Sequence, residues 1–259
     1  MTEKTVTVEV RGSIAVVTLN RAESANTLNM QMGRDLAAAA IECEANPAVR
    51  AVVLTGAGKN VCFGGDLRGM ITGGAAIEAY LRELTSHLHM AISHFVRMDA
   101  PVVAAVNGTA AGAGVGLVAM SDLAIAAEGA KFSLAYTGVA LTPDGSTSFF
   151  LPRVVGSKRA AELILTNRVL SAAEALDWGL VNSVVPDAEV VARATEMAER
   201  LAAGPTRAFG ETKRLLAQSM GALEAHMALE SQVIARQAES AEGREGMGAF
   251  LEKRKPKFS

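Results

Sequence analysis

The chain has 259 residues, half of them hydrophobic, and a formal charge of −2 at pH 7, which describes one main domain with ample core and no electrostatic footprint for nucleic acid. Its longest apolar stretches, around 101–106 and 114–127, are interrupted by Asn107, Ser121, Asp122 and several glycines, so neither approaches the roughly 20 uninterrupted apolar residues of a membrane span. Two cysteines, Cys43 and Cys62, are too few for a disulfide scaffold, and the opening MTEKTVTVEVRGS lacks an apolar leader; a cytoplasmic setting is expected.

Val6 to Asn20 alternates in polarity and turns at Arg11-Gly12-Ser13, which predicts a β-hairpin. From Leu28 to Asn46 the apolar residues Leu28, Met32, Leu36, Ala39, Ala40 and Cys43 recur at helical spacing and stop before Pro47. Three runs follow, VRAVVLTGAG, APVVAAVNG and SDLAIAAEG, each ending in glycine and separated by helical patterns such as Tyr80 to Met98. Continuously apolar strands bury both faces, so these predict parallel strands in an α/β body. From Ser157 onward the pattern is helical, over 159–165, 172–178, 188–203, 205–220 and 223–238.

The glycines after the strands do not carry nucleotide motifs. Neither Gly56-Ala57-Gly58 nor Gly112-Ala113-Gly114 has a third glycine at the dinucleotide spacing, and Gly58-Lys59 is followed by Asn60 where a phosphate loop needs Ser or Thr. The helix opening near Gly112 and the turn CFGGDL at 62–67 can instead present bare N–H groups, and two converging donors suit an acyl carbonyl that becomes an oxyanion. The same glycines would also serve tight packing of helix on strand. No His/Cys/Asp cluster has metal-ligand spacing, so no metal is expected. Asp144, between Pro143 and Gly-Ser-Thr, has the local sequence of a helix N-cap. His89 lies at the edge of the apolar stripe of its helix, where a histidine is commonly packed and hydrogen-bonded.

The segment NGTAAGAGVGLVAMSDLAIAAEGAKF, with VCFGGDL, LNRAESANTL, LTPDGSTSFFLPRVVG and the ending REGMGAFLEKRKPKF, resembles the crotonase superfamily of enoyl-CoA hydratases and isomerases. The resemblance runs from the first hairpin to the last helix. It implies an α/β fold, a crotonase spiral of ββα units over 1–195, with a helical trimerisation region over 196–259. It also implies an acyl-CoA substrate, coenzyme A as part of the substrate thioester rather than a prosthetic group, and assembly as a homotrimer or dimer of trimers; from charge and composition no nucleic-acid or membrane partner is expected. Carried over residue by residue, the oxyanion donors are the backbone N–H groups of Gly65 and Ala113, the latter replacing a usual glycine. Coenzyme A packs near Ala25, Asp66 and Leu67, and Phe63, Gly116 and Tyr136 belong to the substrate pocket.

Hydratases of this superfamily carry two glutamates where this chain has Gly116 and Tyr136, so ordinary hydration lacks its proton-transfer groups. Some isomerases of the superfamily use an aspartate in the PD motif, here Asp144, as a single base. The 4-chlorobenzoyl-CoA dehalogenases use the same position as a nucleophile, with a histidine at the place of His89 to activate water. The resemblance therefore leaves three alternatives: a Δ3-Δ2 enoyl-CoA isomerase, which is preferred, a dehalogenase with Asp144 and His89, or a catalytically silent CoA-binding protein.

Overall fold

The computed structural model describes residues 4–72, 76–217 and 220–258. The chain opens with the antiparallel hairpin β1 (Val6–Arg11) and β2 (Ile14–Leu19). Helix α1 (Met30–Ala45) follows, its first turn capped by Asn29, whose side chain accepts from the Met32 N–H. Then come β3 (Ala51–Gly56), β4 (Asn60–Cys62), α2 (Leu67–Thr72), α3 (Ile77–Arg97), β5 (Val102–Val106), β6 (Thr109–Ala111), α4 (Ala113–Met120), β7 (Leu123–Ala127) and β8 (Lys131–Ser133). The later part holds α5 (Thr147–Val155), α6 (Ser157–Thr166), β9 (Leu170–Ser171), α7 (Ala172–Asp177), β10 (Ser183–Val185), α8 (Val190–Ala202), α9 (Thr206–Leu216), α10 (Met220–Glu239) and α11 (Ala241–Leu251).

Two sheets result, in the orders β1-β2-β3-β5-β7-β10 and β4-β6-β8-β9. From β2 onward every pair in the larger sheet is parallel, as the continuously apolar runs predict, and β3 and β5 are buried along their whole length. Each long strand turns at a glycine into a short strand of the second sheet and then into a helix, so β3-β4, β5-β6 and β7-β8 are successive turns of one spiral. Asn107 stitches two of these turns: its Nδ2 donates to the carbonyls of Gly56 (2.8 Å) and Gly58 (3.0 Å), while its Oδ1 accepts from Thr55 (3.3 Å). Layers this close leave no room for side chains. A Cβ on Gly108 would fall inside the van der Waals shell of the Lys59 carbonyl oxygen, and one on Gly114 would do the same at Cys62.

The boundary anticipated at 195/196 falls inside α8. That helix packs on β3, β5 and β7 and buries Val190, Ala194, Ala198 and Ala202, so it belongs to the body. Helix α9 is tied down by Lys213, which pairs with Asp122 (2.9 Å) and donates to the carbonyls of Phe95 and Ala100. Burial pushes the lysine down and the aspartate up, while each charge opposes the other's shift. Helix α10 lies along α3, and α11 folds back over the body, with Gly246 close against the Val139 carbonyl. No described helix is long and apolar enough to cross a membrane.

The contact at Gly108 sets a testable cost. Gly108→Ala should lower stability by roughly 1–3 kcal/mol through overpacking, seen as a lower midpoint in denaturant titration. Gly248→Ala in α11, where an added Cβ meets nothing within 4 Å, should be neutral or stabilising.

Candidate active site

Two backbone turns face each other at the centre of the molecule. Gly64 (φ +79°) ends the turn after β4, and Gly112 (φ +52°) joins β6 to α4. A Cβ placed on Gly64 would lie 3.4 Å from the Gly112 Cα, and one on Gly112 would lie 3.5 Å from the Gly64 Cα. The Leu28 N–H donates to the Gly64 carbonyl and the Asp66 N–H to the Leu28 carbonyl. In an extended segment the intervening N–H points the other way, so the Gly65 amide has no partner among the described residues. At the second turn the Gly112 N–H donates to the Ser133 carbonyl (2.9 Å), whereas the Ala113 N–H, the first of α4, has no partner among the described residues. The left-handed conformation falls on Gly112, so Ala113 keeps a negative φ and its methyl is tolerated. Both open amides line a cavity of about 900 Å³.

That cavity is walled in its depth by Met70, Leu81, Leu84, Leu88, Leu141 and Ile234. Asp144 opens on it, only 6% exposed. The aspartate does not cap α5: the Thr147 N–H donates to its main-chain carbonyl, and its side-chain Oδ1 accepts from the Tyr136 hydroxyl (3.0 Å). Its other oxygen, Oδ2, accepts no hydrogen bond from the described residues, and the residue lines the cavity. Burial pushes the carboxyl up to about 6, against the opposing pull of the Tyr136 hydrogen bond. The Tyr136 phenol is held well above its ordinary value, first by burial and then by the nearby Asp144 charge.

At the rim, Phe63 is 44% exposed. Asp66 is held by Arg21 (3.2 Å) and accepts from the Gly69 N–H, which fixes the start of α2, and Leu67 lines the cavity beside it. Cys62 is buried beneath this turn and its thiol is pushed up to about 12, which leaves it inert as a nucleophile.

Three anticipated site residues lie elsewhere. Gly116 does not line the cavity: the 145–147 turn covers it, and a side chain there would meet the Gly145 carbonyl at 2.5 Å and Thr147 Oγ1 at 2.6 Å. Position 116 therefore has no space for a glutamate side chain. Ala25 does not line the cavity; it lies in a left-handed turn whose neighbours Ser24 and Thr27 do. His89 lines a separate groove with Ser86, Met90, Met227 and Ser231. One step along α3 is a rotation of about 100°, so Leu81, Leu84, Thr85 and Leu88 take the cavity side and His89 the side facing α10. Burial holds its imidazole down at about 4, neutral, and Nε2 has no partner among the described residues.

Sequence reasoning missed Glu230. It is 4% exposed and accepts from the Ser146 and Ser148 N–H groups (2.8 and 3.0 Å) and from the Ser148 hydroxyl. The signal was present: Leu223, Met227, Glu230 and Ile234 share one buried stripe of α10, and a carboxylate in such a stripe requires partners.

The sequence model of the enoyl-CoA hydratase/isomerase family matches residues 9–259. The chain belongs to this family. Among its relatives is a probable enoyl-CoA hydratase of Rhodobacter capsulatus, 39% identical across 100% of this chain and 99% of that protein. A 1,2-epoxyphenylacetyl-CoA isomerase of Escherichia coli is 36% identical across 96% of each. A 4-chlorobenzoyl coenzyme A dehalogenase of Arthrobacter is 36% identical over 80% of this chain and 76% of its own length. The fold is that of the solved enoyl-CoA hydratase/isomerase of Pseudoalteromonas atlantica, with a TM-score of 0.89 at 33% identity over 99% of this chain and 100% of that one. The two-sheet spiral is accordingly the crotonase fold, and the cavity lies where its glycine turns meet.

The hydrogen bond at Asp144 Oδ1 favours the ionised carboxyl. Tyr136→Phe removes it and should move the Asp144 titration above 6. Carbon-13 NMR of aspartate-labelled protein, assigned with Asp144→Asn, measures the shift.

Proposed function

We propose that the protein is a one-base enoyl-CoA isomerase that converts a 3-enoyl-CoA to its conjugated 2-enoyl form. One observation carries the reading: a single buried carboxylate, Asp144, opens on the same cavity as two backbone amides, Gly65 and Ala113, that have no partner among the described residues. The substrate thioester oxygen accepts from both amides. Asp144 removes the α-proton, the electron pair passes into the thioester as an enolate held by those N–H groups, and the protonated Asp144 then delivers the proton to the γ-carbon. The base starts and ends ionised, so no second titratable group is required. The phenol of Tyr136 fixes Oδ1 and leaves Oδ2 to act, and the apolar walls limit exchange of the carried proton with water.

Hydration is disfavoured because positions 116 and 136 hold no carboxylate and the first has no room for one. Dehalogenation is disfavoured because His89 lies in a different groove from Asp144. A silent binding role would leave Asp144 capping its helix, which it does not do. In this reading coenzyme A enters as part of the substrate, past Phe63, Asp66 and Leu67, and no prosthetic group takes part. Self-association as a homotrimer or dimer of trimers is part of the same proposal; Leu215 and Leu216, 79% and 76% exposed at the end of α9, are apolar surface that an assembly would cover.

Conversion of a 3-enoyl-CoA, followed by ultraviolet absorbance, tests the reading. Native protein should convert it, with kcat/KM rising as pH increases through about 6, because the base acts ionised. Asp144→Asn should be slower by about 100-fold or more. Hydration of a 2-enoyl-CoA that survives Asp144→Asn, or halide release from 4-chlorobenzoyl-CoA, would contradict it.

A further inference from the structure

The turn that carries Asp144 is held in an unfavourable shape. Gly145 (φ +61°) and Ser146 (φ +62°) are both left-handed, a conformation that a serine adopts only when its surroundings impose it. Ser146 is completely buried and its Oγ has no partner among the described residues, so the side chain gives the turn no polar support from them. The support comes from α10. Glu230 Oε2 accepts from the Ser146 N–H at 2.8 Å, and Oε1 accepts from the Ser148 N–H at 3.0 Å and from the Ser148 hydroxyl. Three donors converge on one carboxylate, an arrangement that suits an ionised carboxyl, which only accepts.

We propose that Glu230 is a positioning residue for Asp144: its carboxylate clasps the left-handed turn from the far side and holds the aspartate against Tyr136 at the cavity. The proposal rests on the reading of Asp144 as the base. Glu230 lies in a mostly apolar layer and does not itself line the cavity, so its effect passes through the turn. The groups that bear on its charge are few. Asp144 and Tyr136 lie on the turn side, and His226 on its own helix has Nε2 at 3.6 Å from Oε1 and 2.8 Å from Ser148 Oγ. From α5, Arg153 sits over the Phe149 ring and bears on His226. From α3, His89 is neutral and lines the groove beside Met227 and Ser231. No cation is in contact with Glu230 among the described residues when His226 is neutral, and burial, opposed by the Ser148 hydrogen bond and reinforced by the Asp144 charge, pushes it up to about 7. Protonation turns an acceptor into a donor facing donors, so the clasp opens as pH falls through that value.

Two variants and one structure decide the matter. Glu230→Gln keeps the volume but puts an amide N–H₂ where donors already point. It should lower kcat at least 10-fold with KM within twofold, and its crystal structure should show the 3.0 Å contact between Tyr136 and Asp144 lost. Ser148→Ala removes one donor and leaves both backbone bonds, so it should cost no more than about threefold. The acid side of the native kcat/KM profile should be steeper than one proton, with Asp144 and Glu230 both contributing, and that of Glu230→Gln should follow one proton. The proposal is overturned if Glu230→Gln keeps kcat and the contact, if KM rises as kcat falls, or if the lost rate matches a loss of folded protein by thermal melting. Should native protein convert no enoyl-CoA, the functional reading fails instead, and the variant's crystal structure still decides the clasp.

Discussion

The site depends on two backbones lying in contact, Gly64 against Gly112, because only turns without side chains bring the ends of two spiral layers close enough to leave Gly65 and Ala113 with open amides. Everything that pulls those layers together serves the same end. Asn107 links consecutive turns through side-chain hydrogen bonds, and Asn26, fully buried, does so from the first loop by donating to the carbonyls of Ala57 and Asn60. A backbone donor held this way cannot reorganise, which gives it more effect on a developing charge than a mobile side chain would have.

Two buried carboxylates stand behind that pair of amides, and their surroundings separate their roles. Asp144 has one donor among the described residues, Tyr136, and lines the cavity, so its ionised form is poorly satisfied and reactive. Glu230 has three donors and lines no part of the cavity, so it is placed to hold structure rather than to exchange protons with substrate. Burial raises both carboxyls, but the number of hydrogen bonds received decides which can act on another molecule.

The larger elements were legible because burial imposes a period. The hairpin, α1, α3 and the three apolar strands appear in the sequence within a few residues of their observed bounds. Strands β4, β6, β8 and β9 have two or three residues each, too short to show alternation. Helix α11 is obscured by Gly243, Gly246 and Gly248, and α5 by Pro152 in its interior; in both, packing overrides weak intrinsic preference. In the site, Asp144, Tyr136, Gly65, Ala113, Phe63 and Leu67 were legible from motifs and meet at one cavity. His89 was misplaced because neighbours on a helix differ by about 100° and resemblance places a residue on the helix, not on a face. Glu230 stayed hidden because the turn it holds lies far away in sequence, although its place in an apolar stripe marks it.

The central claim, that one shielded base carries the proton from the α- to the γ-carbon, is tested most directly by isotope transfer. A 3-enoyl-CoA bearing deuterium at its α-carbon is converted in ordinary water at low extent, and the product is read by NMR or mass spectrometry. The account predicts measurable deuterium at the γ-carbon of the 2-enoyl product, since Asp144 keeps the label between removal and return. Complete loss of the label to solvent at the earliest conversion would contradict a single enclosed base.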